Sequence, residues 1–455
     1  MIGDNMIFWR LIFWILFIGC FGLRGFLVYN LDTQPISDFV RYYQAAISLS
    51  EGNGFVMFGR HTAFQGVGYP AFLAFFFYWF GPSVLLAKLL NWALGLLSGL
   101  LFYWIVRRFT TEKLTMLATL VYLFLPKEIL YVNVLATEIL YNTLLLGFLA
   151  CYFASWPKEG QTRRKWILLV IAGVILGYMS LVKPLSPLFG LVVFFGEMLR
   201  HGWLKIAIPR GGWGKGIVRT TIVAVVSIMV IAPWTYRNYE LFGAFVPMTT
   251  NGGYVLYVNN NPHATGAWMD PYKIPGSPIH EITYPESDPR FEVEMDRLMK
   301  EEAKNWISEN PGRFLALTFY RLNETFYTNL DWRWAFEVED EDRTEELDRI
   351  KAFLMRAIPS IHGIVSSSFF LAYPALLIGF VAAVWKGRKL RRRSEVNPEI
   401  WNQRLFLVLF CLPALLFTII TMIFEGNARY SFLCHPAFAL LVAVIMRSVR
   451  NGVRV

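Results

Sequence analysis

IFWRLIFWILFIGCFGLRGFLVY (7–29) is followed closely by QPISDFVRYYQAA (34–46). The first stretch is long enough to cross a bilayer, which takes about 20 apolar residues at 1.5 Å each. The second places one carboxylate, Asp38, just past its end. Whether 7–29 is one span among many decides the fold. Composition answers this: 55% of the 455 residues are hydrophobic, 17% are charged, and mean hydropathy is +0.43. Soluble domains do not combine so many apolar side chains with so few charges. About ten such stretches recur, by the length a span requires: near 7–29, 83–106, 114–132, 138–156, 166–183, 185–199, 217–234, 361–385, 405–424 and 431–447. The chain reads as an all-α polytopic membrane protein. Arg24 interrupts the outer end of 7–29 and no small-residue cleavage site follows, so that segment reads as an uncleaved signal anchor.

The net charge of +10 raises the question of nucleic acid, and its distribution answers it. Basic clusters sit at Arg107-Arg108, at KEGQTRRK (158–165), between Arg200 and Arg219, at KGRKLRRR (386–393) and from Arg447 to Arg454. Each follows an even-numbered span. This is the positive-inside pattern, with both termini cytoplasmic, so the surplus charge reports orientation. The expected setting is an integral membrane protein whose long loops lie on the side opposite the termini. The four cysteines fall in spans without metal or disulfide spacing, and read as small apolar core residues.

Two outer loops remain, about 30–82 and 235–360. They divide the chain into an N-terminal membrane module (1–234), a large outer loop (235–360) and C-terminal spans (361–455). Loops this long are usually functional or structured. In the second, Asp288-Pro289 reads as an N-cap and first-turn pair. Phe291, Met295, Leu298 and Trp306 follow at helical spacing, and NPG (310–312) stops the helix. Its apolar face is expected against the membrane or the bundle. GYPAFLAFFFYWFG (68–81) is short for a span and reads as an interfacial or re-entrant helix.

Ionisable groups at the edges of spans are costly and often functional. Topology alone puts Asp38, Arg60, Glu138, Lys183, Arg237 and Arg429 on one side. Each also has an ordinary account. Ser37 or Asp38 can cap a helix with Phe39, Tyr42, Tyr43 and Ala46 on one face. Glu138 sits in a first turn, where a carboxylate suits the helix dipole. Lys183 can snorkel beside Pro184, and Arg429 can pair with Glu425 at i, i+4. Arg60 and His61 lie on a Gly-rich loop and can simply be solvated. Together, several cations at one mouth suit an anionic phosphate, and a single acid among them suits a general base.

Seven segments, in order and each on the expected side, carry a resemblance: SDFVRYYQAAISLSEGNGF (37–55), GYPAFLA (68–74), ATEILYNTLLLGFL (136–149), LVKPLSPLF (181–189), APWTYRNYELFGAFVPMTTNGGYVLYVNNNPHATGAW (232–268), ENPGRFL (309–315) and GNARYSFLCHPAFALLVA (426–443). They resemble the bacterial branch of the GT-C glycosyltransferases, the dolichyl-phosphate-mannose protein mannosyltransferase superfamily that includes lipid A aminoarabinose transferase. The resemblance implies a multi-span bundle under two packed outer loops. It implies a sugar donor on a polyprenyl or dolichyl phosphate, and transfer with inversion. Asp38 matches the position of the base. Lys183 keeps the charge of a frequent Arg, Arg429-Tyr430 matches an Arg-Tyr near the last span, and Arg60 and Arg237 complete the expected phosphate-binding set. Glu138, Tyr42, His61 and Asn261 are expected as supporting or acceptor-side residues. Many relatives carry Asp-Glu where this chain has Asp-Phe, which leaves a divalent cation open.

The expected activity is therefore sugar transfer to an acceptor hydroxyl on a lipid, glycan or protein. A glycosyl phosphate has a good leaving group, so one carboxylate and phosphate-binding cations suffice. The alternative from another class is a polytopic lipid or solute transporter or flippase, since Pro-interrupted spans suit that class too. No two-half repeat supports it. A non-catalytic assembly subunit that keeps the fold is a third reading.

Overall fold

Apolar helices of span length make up most of the chain. The computed structural model describes residues 6–156, 162–200, 213–328, 331–338, 344–389 and 398–450. Parts of the basic clusters at 158–165, 200–219, 386–393 and 447–454 lie outside these residues. In chain order the helices are α1 (Met6–Asn30), α2 (Asp38–Ser50), α3 (Gly68–Phe80), α4 (Val84–Arg107), α5 (Glu112–Leu123), α6 (Pro126–Leu130), α7 (Thr137–Ala154), α8 (Thr162–Val182), α9 (Gly190–Arg200), α10 (Trp213–Phe242), α11 (Gly252–Val258), α12 (Pro289–Glu309), α13 (Pro311–Asn323), α14 (Glu345–Lys389), α15 (Pro398–Ile423) and α16 (His435–Arg450). The described strands are β1 (Val56–Met57) and β2 (Arg60–His61), an antiparallel hairpin. Its turn residues Phe58 and Gly59 have φ of 55° and 73°, the two positive values a tight hairpin turn requires.

Among the described residues, seven helices are long and apolar enough to cross a membrane by length and composition. An eighth span forms if α5 and the segment Pro126–Asn133, bent by 63°, count as one. Pro126 opens α6, where its missing N–H costs nothing but α5 cannot continue through it. The apolar stretch near 361–385 is the middle of α14, which runs without a break from the outer loop. The stretch near 185–199 is a 3-10 turn followed by the 11-residue α9. The chain is an integral membrane protein. Ile7, Leu11 and Ile18 on one side of α1 are 76%, 59% and 67% exposed, a face suited to lipid.

Helix ends sort into two sets. At one, Lys88 of α4 donates to the Leu31 carbonyl (3.0 Å) just past α1, and Asn91 donates to the Val134 carbonyl (2.9 Å) before α7. At the other, Arg10 of α1 binds Glu112 (2.6 Å), and Arg219 of α10 binds Glu197 of α9 (2.8 Å) and Ser155 (2.6 Å). Asp38 begins α2 at the first end.

In the first long loop, α3 is a 13-residue apolar helix that buries Tyr69, Leu73 and Phe77 and leaves Phe75, Tyr78, Trp79 and Phe80 exposed. In the second loop, Asp288 accepts from the Arg290 N–H (2.9 Å), Pro289 opens α12, and the helix ends at Glu309 before Pro311. The buried face is Phe291, Met295, Met299 and Trp306, with Leu298 only half-buried. One expectation changes here. Most of this face does not lie on the membrane. It closes a small core with Leu256, Tyr257, Ile274 and Ile279 of the same loop. The loop holds enough apolar residues to bury that face on its own. Cys20, Cys411 and Cys434 are buried and Cys151 is half-buried, all as free thiols.

Candidate active site

Asp38 is the first residue of α2, entered through Ser37 at a positive φ of 53°. The expected cap is not made by either residue. The Ser37 side chain makes no capping bond, and the Asp38 oxygens turn elsewhere. Oδ1 accepts from Arg41 (2.9 Å), one turn along α2, and from the Gln65 amide (3.2 Å). Oδ2 accepts from Arg429 (3.1 Å), 391 residues away. The buried side of α2 is Phe39, Tyr42, Ala45 and Ala46.

Arg429 is held by a 3-10 segment, Ala428–Cys434, between α15 and α16. Asn427 caps it by accepting from the Arg429 N–H (3.2 Å). Lys127 of α6 donates to the Ala428 carbonyl (2.5 Å) and to Ser431 (3.0 Å), and Glu128 meets His435 at 2.9 Å. The bend between α5 and α6 thus braces the segment from below. The break in helix also explains a correction. Arg429 does not pair with Glu425 at i, i+4 because no helix joins them. Glu425 accepts from the Tyr430 hydroxyl (3.0 Å) and the Asn427 amide (3.4 Å) instead. Burial pushes the Glu425 carboxyl up, against the pull of Arg429.

Lys183 follows α8 directly and binds Glu138, in the first turn of α7, at 3.1 Å. Its ammonium lies between the rings of Tyr141 (5.9 Å) and Tyr430 (5.6 Å). Lys183 is half-buried, its side chain 13% exposed and tied to Glu138, rather than snorkelling. Desolvation lowers its pKa, opposed by Glu138. Pro184 follows it in the chain. Arg429 and Asp38 both act electrostatically on Lys183, so the two ion pairs form one cluster. Tyr42 is buried within it. Burial first, then Asp38, pushes its hydroxyl pKa up, so it stays a neutral donor. Burial raises the pKa of Asp38, but Arg429 and Arg41 overcome this and hold it below the usual carboxylate range.

The structure thus gathers Asp38, Tyr42, Glu138, Lys183, Arg429 and Tyr430. Three other candidates converge elsewhere. Arg60 lies against buried Glu292 of α12 (3.5 Å), Arg237 donates to the Thr62 carbonyl (2.8 Å) and to Asn238 (3.1 Å), and His61 is exposed. Glu292 also accepts from Thr62 (2.5 Å), the Ala63 N–H (3.2 Å) and Thr250 (2.8 Å). This knot fastens the second loop to the stretch of the first loop that leads from β2 to Gln65. Asn261 is fully buried, donating to the Tyr257 carbonyl (2.9 Å) and accepting from the His263 N–H (2.7 Å), so its contacts build a turn.

Sequence reasoning missed Arg41, Gln65, Glu292 and Arg321. Arg41 was visible as an i, i+3 partner of Asp38, and Glu292 as a carboxylate on the apolar face of α12. Gln65 gives no local signal. Nor does Arg321, which is fully buried and ties the Asn259 carbonyl (2.5 Å) to the Met422 carbonyl (2.8 Å).

No family model and no curated protein matches the sequence. Solved structures do. The oligosaccharyltransferase from Archaeoglobus fulgidus, tethered to an acceptor peptide, superposes with a TM-score of 0.52 at 11% identity, covering 96% of this chain and 50% of that one. The fold is of the GT-C type. The apo form of the same enzyme gives a TM-score of 0.51 at 12% identity, covering 97% and 52%. This chain spans about half the length of that enzyme. ArnT from Cupriavidus metallidurans, bound to undecaprenyl phosphate, gives 0.42 at 12% identity, covering 98% and 79%. The Archaeoglobus enzyme has also been solved with Zn and sulfate. In this GT-C fold, no group of three or more His, Cys, Asp or Glu converges among the described residues. Both Asp38 oxygens already face cationic or amide donors, a poor setting for a divalent cation.

Proposed function

We propose that this chain is an inverting glycosyltransferase. It moves a sugar from a polyprenyl phosphate, dolichyl or undecaprenyl, to an acceptor hydroxyl on the outer face of a bacterial plasma membrane, with both termini cytoplasmic. One observation carries the reading: a carboxylate at the mouth of the bundle, Asp38, bonded to Arg429 with the Lys183–Glu138 pair in the same cluster. The GT-C fold supports it.

The geometry suggests how binding and chemistry are coupled. With two guanidinium groups on it, Asp38 is a weak base. Arg429 keeps its buried Nε without an acceptor among the described residues. A donor phosphate would take Arg429 as a bidentate partner and Lys183 as a point charge. Asp38 would lose that cation and gain proton affinity. It would then accept the hydroxyl proton as the acceptor oxygen attacks the anomeric carbon from the face opposite the departing phosphate. The cations would stabilise the charge that develops on the phosphate, so no second carboxylate is needed. Tyr430 and Tyr42 would line the donor, and the second loop would present the acceptor. Arg60, Arg237, His61 and Asn261 would hold that loop in place.

The test is transfer of radiolabelled sugar from a lipid-linked donor in detergent, where transport is not scored. Asp38→Asn should abolish transfer while donor binding survives. Turnover near wild type would remove Asp38 as the base. Absence of transfer by the wild type with every polyprenyl-phosphate sugar tried would favour a transporter.

A further inference from the structure

A second site lies at the opposite end of the bundle. Here α4, α7 and α8 enclose a cavity of about 610 Å³. Leu97, Leu100 and Trp104 of α4 line it and are 47%, 41% and 46% exposed. Their spacing of three and four residues puts them on one helix face. Arg108 follows one turn later on the same face, and it also lines the cavity. The antiparallel wall repeats the gradient, with Arg164 at the start of α8 and Leu168 one turn in. Apolar side chains therefore point toward the middle of the membrane, and guanidinium groups stand together at one mouth.

Orientation explains why cations lie on this side. It does not require three of them, Arg108, Arg164 and Lys165, to line one largely apolar cavity. Burial lowers the Arg108 pKa, and Arg164 lowers it further, so the two groups repel. Neither has a carboxylate partner among the described residues. From Leu97 to Arg108 the groove runs about 16 Å along the helix. That is about half the hydrocarbon thickness of roughly 30 Å, the depth of one leaflet.

We infer that this groove binds an anionic glycerophospholipid of the adjacent leaflet, its phosphate on Arg108 and Arg164 and an acyl chain along Leu97, Leu100 and Trp104. The charge selects the headgroup and the length selects a single-leaflet chain. The inference does not depend on the proposed reaction, whose cluster lies at the other end of α4, α7 and α8.

The test is native mass spectrometry of the full chain released from nanodiscs of phosphatidylglycerol mixed with phosphatidylcholine. The wild type should retain about one phosphatidylglycerol in preference to phosphatidylcholine. Arg108→Gln combined with Arg164→Gln should weaken retention about tenfold or more, since each basic contact near the surface contributes on the order of 1 kcal/mol. Leu100→Trp keeps both cations and fills the groove, so it should lose retention as well. It also carries the test if the double variant misfolds. Equal retention of both lipids, or unchanged retention in Leu100→Trp, would overturn the site. So would displacement by inorganic phosphate, which would mean an ion alone, or stronger retention of undecaprenyl phosphate, which would mean a different lipid class.

Discussion

Asp38 and Arg429 bond each other, and that sets the pH behaviour. If Asp38 is the base, activity requires its ionised form, and the cations hold its pKa down. The acid limb of kcat/KM should therefore lie below the usual carboxylate range. Arg429→Gln removes one of the two cations, so the limb should move up, by on the order of one pH unit. An unmoved limb in a pH–rate profile would mean another group titrates. The same variant and Lys183→Ala should each weaken donor binding about tenfold to a hundredfold, the range for a lost charged contact. Equilibrium binding of the lipid-linked donor reads this directly. Because Asp38 accepts only amide and guanidinium donors, transfer should survive dialysis against EDTA. Loss of activity, restored by a divalent cation, would reverse that. At this scale the sequence named Asp38, Lys183, Glu138 and Arg429 but not which of them pair. Arg429 was legible as a charge near the last span, while its pairing depends on a helix break that no local pattern announces.

At the scale of elements, two devices hold the two long loops against the bundle. Gly66 passes so close to the end of α8 that a Cβ there would stand 2.5 Å from the Val182 carbonyl oxygen. Gly66→Ala should push the first loop off the turn that carries Lys183. A cost of about 1–3 kcal/mol is typical of such overpacking, read as a lower midpoint of thermal inactivation with reduced transfer. The second device is Glu292. Glu292→Ala leaves Thr62, Thr250 and the Ala63 N–H without their acceptor and Arg60 without its ion-pair partner. That should destabilise the loop junction by on the order of 3 kcal/mol, as when one partner of a buried pair is removed. Protease nicking within 235–300 should rise before the spans unfold. Unchanged nicking would mean the loops are held independently of Glu292. The helices here were legible where local chemistry was strong, as at Asp288-Pro289 and Asn310-Pro311. What α12 packs against was not, because an amphipathic face reports its polarity and not its partner.

For the whole molecule, hydropathy located the long apolar helices among the described residues, and the distribution of charge predicts an orientation. Length separates the helices long enough to cross a membrane from those that are not. α9 is too short, and α5 with α6 is a bent pair. Tertiary convergence was the part hidden from the sequence. Six of the candidates meet, while Arg60, Arg237 and His61 gather at the junction of the loops and Asn261 builds a turn. A shared side of the membrane restricts residues to a plane, and packing chooses where in that plane they sit.

The 391 residues between Asp38 and Arg429 also have a consequence for biosynthesis. Chains emerge at roughly 5–20 residues per second, so Asp38 waits about 20 to 80 s for the arginine that completes its site. Until then its charged neighbour along α2 is Arg41. A chain cut short before the last span can insert most of its helices, Lys183 included, and still lack the guanidinium that bonds Asp38. Competence would thus arrive in one step, at the end of synthesis.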